Sequence, residues 1–262
     1  MRRVAAVFAI AVWTIAAGRC ASAYSPAELA AFAFQPHPGA ELPLTTPLVD
    51  ENGRAAPLGR FFAGKPVVLV LEYLRCKSLC GLTLENVVEA LDALPLDAGR
   101  DFQMLAISID PRDSSAEMAQ AKAKYLAEYH HAGGAAGIHF LTGSAASVRR
   151  IANAIGFPYR YDAAIDQYVH PAGFILAGPE GRISRYIFGV AATASELRAG
   201  LVGAAQGEAL SPLTRLFLLC HVEGAPLGRY TVPVLAAFTI ANIAAGTTLF
   251  IVFAAIRHRR NG

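Results

Sequence analysis

Two short apolar runs in the middle of the sequence restrict the fold more than any other feature. Residues 66–73 (PVVLVLEY) and 102–109 (FQMLAISI) are rich in aliphatic residues and show almost no polar alternation. Runs of this kind indicate strands that are buried on both faces. Between them, residues 82–94 have helical spacing and stop at Pro95. This order of strand, helix and strand predicts a parallel sheet with helices on its faces.

The segments that follow continue the alternation. Ser114 with Glu117, and Thr193 with Glu196, form capping boxes that predict helix starts. The further predicted elements are helices over 114–130, 144–155 and 193–205, and strands over 138–141, 168–177 and 182–188. A Gly-Pro-Glu-Gly turn at 178–181 joins the last two strands into an antiparallel edge, and an Asn-Gly turn at 52–53 predicts an earlier hairpin. The outline fits an α/β, thioredoxin-like domain with an inserted hairpin.

The start of the chain has the pattern of a secretory signal. Arg2 and Arg3 precede an apolar stretch, and Ala-Ser-Ala at 21–23 is a small-residue cleavage site. Residues 1–23 are therefore predicted to be a signal peptide, with an uncleaved anchor as the alternative because the apolar run is borderline in length. A lipidated Cys20 would need a small residue before it, and Arg19 stands there.

The other end of the chain predicts a membrane helix. The chain is 54% hydrophobic and only 16% charged, against about 25% charged in soluble domains. Residues 230–256 are uncharged, and Arg-His-Arg-Arg follows at 257–260. This favours a transmembrane helix over 230–256 and a cytoplasmic tail over 257–262, with a buried core helix as the alternative. The remaining predicted parts are a linker over 24–42, the thioredoxin-like domain over 43–206 and a juxtamembrane segment over 207–229.

These ends predict that the main domain lies outside the cytoplasmic membrane, which in a bacterial cell means the periplasm, an oxidising compartment. The formal net charge is +3, and the basic residues cluster at the termini, so the sequence does not support nucleic-acid binding. Cysteines in this compartment are disulfides, redox pairs or metal ligands. Cys220, just before the membrane segment, is either a small apolar residue or a partner in a mixed disulfide or a dimer bridge.

The strongest chemical signal is Cys-x-x-x-Cys directly after the first buried strand. If a helix starts here, the sulfurs of Cys76 and Cys80 lie one turn apart on the same helix face. They can then close a disulfide or bind one metal ion. Because thiolates are soft ligands, Cu(I) or Zn(II) is the expected metal. The helix N-terminus, Arg75 and Lys77 are expected to stabilise thiolate. A purely structural disulfide would gain little from so short a loop. The motif alone does not separate redox from metal chemistry.

Taken together, the motifs resemble the SCO/SenC family over residues 40–205. The resemblance is carried by the buried strand, the cysteine motif, ISIDPRD at 107–113, FLTG at 140–143 and a distal histidine before Gly-Pro-Glu-Gly-Arg. It implies a thioredoxin-like fold and one copper ion, Cu(I) or Cu(II), bound by Cys76, Cys80 and His170. It also implies a role in building the copper centre of cytochrome c oxidase. The C-terminal anchor resembles a bacterial subgroup with an added tail. The sequence departs from the family pattern at two of these sites. Lys77-Ser78 stands where Pro-Asp is usual between the cysteines, and Pro171 follows the histidine, where a small polar residue is more usual.

The function expected from the resemblance is copper delivery, thiol reduction of the target, or both. Its expected partners are the copper-carrying oxidase subunit and periplasmic copper donors or thiol reductants. The alternative is a thiol-disulfide oxidoreductase with Cys76 and Cys80 as the catalytic redox pair, which would not need His170. A peroxidase would need a lone attacking cysteine with a Thr and an Arg around it, and a sensor would need a longer cytoplasmic tail. The other histidines at 130, 131 and 139 are expected to be solvated.

Overall fold

A five-stranded mixed sheet forms the centre of the domain, in a computed structural model that describes residues 31–37, 39–76, 80–207 and 239–248. Its strand order is β5-β4-β3-β8-β9, in which β3 pairs in parallel with β4, and β4 with β5. β8 runs antiparallel to both β3 and β9. The strands of this sheet are β3 Val67–Glu72, β4 Gln103–Ser108, β5 Ile138–Leu141, β8 Gly173–Ala177 and β9 Ile183–Phe188.

Helices and two small hairpins surround this sheet. The helices are α1 Cys80–Asp92, α2 Ser115–Leu126, α3 Gly134–Gly137, α4 Ala145–Ala154 and α5 Ala194–Ala205, with a 3₁₀ turn at Leu58–Phe61. The hairpins pair β1 Pro47–Val49 with β2 Ala55–Pro57, and β6 Arg160–Asp162 with β7 Gln167–Val169. The mixed α/β, thioredoxin-like architecture predicted from the sequence is confirmed.

The two faces of the sheet are covered by different elements because side chains alternate along each buried strand. On β3, Val68 and Val70 face a core built with α1, α2 and α5. Leu69 and Leu71 face a second core that contains α4, the 3₁₀ turn and the segment before β1. All six residues of β3 are buried, as the continuous apolar run predicts.

Local end signals in the sequence are confirmed. Ser114 and Thr193 each accept a hydrogen bond from the backbone N–H three residues on, and Glu117 and Glu196 complete the two capping boxes. The 178–181 turn also forms, with the Gly181 N–H donating to the Gly178 carbonyl at 2.9 Å. These features depend on neighbours in the chain, so the sequence alone reveals them.

The predicted strand over 168–177 is wrong as a single element. It divides into β7 and β8, and His170, Pro171 and Ala172 lie in the break. Pro171 has no N–H to donate to a ladder, and Gly173 has a φ of +138° that other residues rarely adopt. A Cβ at Gly173 would lie 2.5 Å from the Ile187 carbonyl oxygen. β7 therefore leaves the main sheet and pairs with β6, a strand that the sequence analysis missed.

The prediction that residues 24–42 form a linker is wrong over the part that the structure describes. Phe34 and Leu42 are buried in the core. The Phe34 ring contacts the Phe157 ring edge-on, with centroids 5.2 Å apart, and the Gln35 N–H donates to the Gly156 carbonyl at 2.8 Å. The spacing of these apolar residues has no strand or helix period, so pattern analysis could not reveal their burial. The folded domain starts before residue 43.

Residues 239–248 form a helix with exposed side chains, including Ile240 and Ile243. Across the described ranges, none of the helices combines the length and apolarity that crossing a bilayer requires. The predicted signal peptide over 1–23, residues 208–229, most of the predicted membrane helix over 230–256 and the tail over 257–262 lie outside the described residues. Cys220 lies outside them as well.

Candidate metal and redox site

Cys76 lies just past the carboxyl end of β3, at the edge of the central sheet. Residues 73–76 follow the strand, and Cys76 is half-buried against the core that contains Tyr73 and Phe157. Its sulfur is part of a disulfide. Cys80 is the first residue of α1, and Cys76 lies outside this helix, so the condition under which both sulfurs share a helix face is not met. The side chain of Cys80 and all of Lys77 lie outside what the structure describes.

His170 follows β7, and aromatic rings hold its side chain. Its ring stacks on Phe157, with centroids 5.4 Å apart, and meets the Tyr73 ring edge-on at 5.9 Å. Nδ1 lies 2.9 Å from the Pro171 carbonyl oxygen. Because a carbonyl can only accept, we assign the ring proton to Nδ1 and the lone pair to Nε2. Burial lowers the pKa of His170, so the imidazole is neutral at pH 7.

Tyr73 joins the segment that carries His170 to the segment that carries Cys76. Its hydroxyl donates to Gln167 Oε1 at 2.8 Å and accepts the Tyr168 N–H at 3.2 Å. Gln167 Nε2 also donates to the Arg75 carbonyl at 3.4 Å. The β6–β7 hairpin is therefore docked on the loop between β3 and α1. The structure thus places His170 on the rings of Tyr73 and Phe157, which belong to the same hydrophobic core against which Cys76 packs.

The strand order explains why both ligands emerge at the same edge. Val70 near the end of β3 pairs with Phe174 near the start of β8, in antiparallel register. Cys76 follows the end of β3, and His170 precedes the start of β8. The two residues therefore leave the sheet on the same side, as expected for ligands at the carboxyl ends of the parallel strands.

A buried carboxylate, Asp113, holds the loop before Cys76. Asp113 accepts hydrogen bonds from the Leu74 N–H at 3.0 Å, the Ser108 hydroxyl at 2.6 Å and the Arg75 guanidinium at 2.9 Å. Arg75 also pairs with Glu117 at 2.8 Å. A third carboxylate, that of Asp110, lies 3.7 Å from the same guanidinium. The positive charge therefore anchors the loop, and its expected effect on a thiolate stays a prediction.

A second ion pair in the same region involves the β6–β7 hairpin. Arg112 forms a close pair with the buried carboxylate of Asp110, with nitrogen and oxygen 2.8 Å apart. The same guanidinium reaches Asp166, in the turn between β6 and β7, at 3.2 Å. This pair ties the loop after β4 to the hairpin that precedes His170.

The remaining histidines are divided between surface and core. His130 is exposed, and its Nδ1 contacts Asp92 at 2.9 Å, while His131 Nδ1 contacts Asp97 at 2.7 Å. His139 is half-buried, its ring lies 5.5 Å from that of Phe61, and burial lowers its pKa. The expectation that His139 is solvated is wrong. Among the side chains that the structure describes, no group of three His, Cys, Asp or Glu is arranged to hold a metal ion.

Glu72 is the residue that the sequence analysis missed. It is the last residue of β3 and is only 4% exposed. Burial is the main cause that raises its pKa to about 8, and the charge of Asp113 adds to the effect. A carboxyl inside an otherwise apolar strand, four residues before a cysteine motif, was the signal in the sequence that could have revealed it.

Comparison with known proteins supplies the family. Searching curated protein sequences gave no match. Several solved structures share the fold, at 25% identity or less. A protein from Aquifex aeolicus VF5 has a TM-score of 0.58 and 23% identity, over 65% of this chain and 95% of that one. ScoI from Arabidopsis thaliana, solved with copper bound, has a TM-score of 0.50 and 20% identity, over 65% and 99%. A SCO1/SenC family lipoprotein from Bacillus anthracis has a TM-score of 0.52 and 16% identity, over 64% and 96%.

The family profile described as SCO1/SenC matches residues 46–205, which is more than half of the sequence. The matched range contains Cys76, Cys80 and His170, and it begins at β1 and ends with α5. The chain belongs to the SCO1/SenC family.

Proposed function

We propose that this protein is a membrane-anchored, periplasmic copper-binding protein. It helps to assemble the copper centre of cytochrome c oxidase, by delivering copper, by reducing target thiols, or by both. Family membership supports this role, and the copper-bound ScoI of Arabidopsis thaliana supports copper as the metal. The observation that carries the proposal is the docking of a neutral His170 imidazole, through Tyr73, on the loop that bears Cys76.

Cys76, Cys80 and His170 are the proposed ligands of one copper ion, which is the cargo of the protein. Thiolate sulfur and imidazole nitrogen suit copper in both oxidation states. The Pro171 carbonyl fixes the ring proton on Nδ1, and this leaves Nε2 to coordinate. Since burial already keeps His170 neutral, no proton has to leave the imidazole when copper binds at neutral pH.

The proposed partner of Cys76 in its disulfide is Cys80. Cys76 lies on the loop after β3, and Cys80, four positions further on, is the first residue of α1 and the nearest cysteine in the sequence. In this oxidised form the thiolates are not available to copper, so reduction must precede loading. The same disulfide supports a second candidate function, thiol-disulfide exchange with the target protein, for which His170 is dispensable.

The proposed membrane anchor and location are supported by the sequence at the two ends of the chain. Residues 1–23 have the signal pattern, and residues 230–256 are apolar and precede a basic cluster at 257–260. A reporter enzyme fused after Gly262 is expected to be active only in its cytoplasmic form. Activity of a periplasmic reporter at that junction would contradict the proposed topology.

Copper binding tests the proposal directly. The full chain, purified in detergent and reduced, is titrated with Cu(I) under anaerobic conditions. We expect about one copper per chain, loss of tight binding in Cys76→Ser and Cys80→Ser, and at least roughly tenfold weaker binding in His170→Ala. His131→Ala, which removes a histidine paired with Asp97, is the control and should bind like the wild type. If His170→Ala retains wild-type affinity, the three-ligand centre is wrong and thiol-disulfide exchange becomes the better description.

A further inference from the structure

A corner of the fold, at the edge opposite the cysteine segment, joins three separate parts of the chain. It lies at the amino ends of β4 and β5, whereas Cys76 follows the carboxyl end of β3, which is parallel to β4. The three parts are the end of α1 at Asp92, the loop between α1 and β4, and the turn between α2 and α3. α1 therefore reaches from the candidate site, at Cys80, to this corner.

His131, in the turn between α2 and α3, contacts both of the other parts through its ring. Nδ1 lies 2.7 Å from Asp97 Oδ1, and Nε2 lies 2.8 Å from the backbone carbonyl oxygen of Asp92. An ionised carboxylate and a backbone carbonyl can only accept hydrogen bonds. A neutral imidazole has one N–H, so only the imidazolium form donates to both oxygens at once.

The position of the ring at the end of a helix favours the same charged form. Asp92 is the last residue of α1, and the carbonyls of a last helical turn carry the negative end of the helix dipole. The hydrogen bond to the Asp92 carbonyl is the main cause that raises the pKa of His131, and the hydrogen bond to Asp97 adds to it. Three features of the corner thus stabilise the imidazolium: a carbonyl, a carboxylate and a helix dipole.

Other titratable and charged groups surround the ring from all three parts of the corner. They are Asp92, Asp97, Arg100, Asp101, Tyr129 and His130. The charges of Asp92 and Asp97 both raise the pKa of His131, in the same direction as the hydrogen bonds. The Asp92 carboxylate also accepts the His130 N–H at 2.6 Å, and this bond does not depend on the protonation of His131.

The turn and the loop are also held together by contacts that need no proton on the ring. A Cβ at Gly133 would lie 1.9 Å from the Ala98 carbonyl oxygen, so the two backbones are in direct contact. The Tyr129 hydroxyl accepts the Ala98 N–H at 2.9 Å. The contact that depends most on the His131 proton is therefore the one between the turn and the end of α1.

We propose that His131 is a pH-dependent clamp, which fixes the end of α1 to the corner when its ring carries two protons and releases it when the ring is neutral. The neutral ring keeps its remaining proton on Nδ1, because a hydrogen bond to the ionised Asp97 is stronger than one to a carbonyl. The bond that is lost is then the one from Nε2 to the Asp92 carbonyl. No candidate copper ligand lies in this corner, so the clamp is independent of the proposed function.

The clamp is closed at low pH and opens as the pH rises. Folding raises the pKa of His131 above its usual value of 6.5, so the stabilisation is complete below that value and is lost as the pH passes the raised pKa. The expected effect is a local opening at the end of α1, while the two cores on the sheet stay packed.

Hydrogen–deuterium exchange of the full chain in detergent, measured by mass spectrometry at about pH 5.5 and about pH 8.5 and corrected for the intrinsic rates, tests the clamp. His131→Asn imitates the neutral ring, because its amide nitrogen can replace Nδ1 and nothing replaces Nε2. At the lower pH we expect peptides at the end of α1 to exchange roughly tenfold faster in His131→Asn than in the wild type. At the higher pH the two proteins should exchange alike.

His37→Asn is the matched control. It removes another histidine that contacts the last residue of a helix, since His37 Nδ1 lies 3.2 Å from the Ala154 carbonyl oxygen at the end of α4. Exchange at the end of α1 should be the same in this variant as in the wild type at both pH values. Equal exchange of wild type and His131→Asn at the lower pH would overturn the inference.

A measurement on the wild type alone covers the case in which His131→Asn fails to fold. The slow exchange of the imidazole Cε1 hydrogen with deuterium reports the protonation of each histidine across pH. We expect the midpoint for His131 to lie above 6.5, and the protection of the end of α1 to fall over the same pH range. A midpoint at or below 6.5, or protection that stays constant as His131 loses its proton, would equally overturn the clamp.

Discussion

Glu72 and Asp113 lie within range of each other's charge, but the two carboxyls differ in their hydrogen bonds. Asp113 accepts hydrogen bonds from a backbone N–H, a hydroxyl and a guanidinium. Glu72 Oε1 accepts none. Donors compensate the burial of a carboxylate, and without them the neutral acid is the stable form. The two buried carboxyls therefore differ in the number of donors that each one meets.

Glu72 should make the stability of the fold depend on pH. Its pKa is raised from 4.5 to about 8 in the folded chain, so between these values the folded state holds a proton that the unfolded state releases. The contribution of Glu72 to the free energy of unfolding is therefore greatest below about pH 4.5. It falls by roughly 4 kcal/mol as the pH rises towards 8. Glu72→Gln lacks this loss, so its free energy of unfolding relative to the wild type should increase with pH. Urea unfolding at about pH 5 and pH 8 measures the difference, and parallel behaviour of the two proteins would contradict the raised pKa.

The candidate ligand residues could be predicted from the sequence, whereas the burial of Glu72 and its raised pKa could not. Cys76 and Cys80 form a local motif, and His170 matches a family pattern, so both signals are visible in the residues themselves. Glu72 stands inside an apolar run, and its pKa is raised because other elements pack over it and bury it. Tyr73 is a similar case, because its hydrogen bond to Gln167 joins residues 94 positions apart.

At the scale of elements, Asp113 should stabilise the loop that leads to Cys76 more than any surface ion pair does. Asp113→Asn removes the charge that faces Arg75 and one acceptor oxygen, in a side chain with 0% exposure. We expect it to lower the free energy of unfolding by about 2 kcal/mol. Asp166→Asn breaks the pair with Arg112, where both side chains are about half exposed or more, and should change stability by less than about 0.5 kcal/mol. Chemical denaturation compares them, and equal losses would show that burial does not decide the value of these pairs.

The segment before β1 should also contribute to the core. Phe34 packs edge-on against Phe157, Tyr186 and Phe188. Phe34→Ala is therefore expected to destabilise the domain by roughly 3 kcal/mol or more. The matched control is Gln35→Ala, an exposed side chain whose backbone N–H still bonds to Gly156. An effect of Phe34→Ala no larger than that of the control would mean that the segment is only a linker.

The elements differ in how far the sequence reveals them. β3 and β4 are uninterrupted apolar runs, and the capping boxes of α2 and α5 lie within four residues of sequence, so both kinds of element are predictable. The β6–β7 hairpin is not, because its strands have three residues each and its position depends on Tyr73. The same holds for the segment around Phe34, because this ring packs on Phe157, Tyr186 and Phe188, which are far away in the sequence.

At the scale of the whole molecule, the folded domain should be independent of the chain that follows it. Every buried hydrophobic side chain that the structure describes lies between Ala33 and Ala204. A chain that ends at Gly207 is therefore expected to keep the unfolding temperature of the full protein to within a few degrees and to stay soluble after membranes are sedimented. The full chain is expected to sediment with the membranes. A large drop in unfolding temperature on truncation would show that residues 208–262 take part in the fold.

The antiparallel register between β3 and β8 determines where the cysteine and the histidine leave the sheet, whatever the length of the chain between them. Four Cα pairings, from Val67 with Ala177 to Val70 with Phe174, determine where each strand ends. An insertion in the exposed turn around residue 130 lies outside both strands and leaves these pairings unchanged. Members of a family built this way can gain or lose residues between cysteine and histidine without altering the centre. The spacing of the two ligands in sequence is then a poor guide to homology, and their position at the sheet edge is a good one.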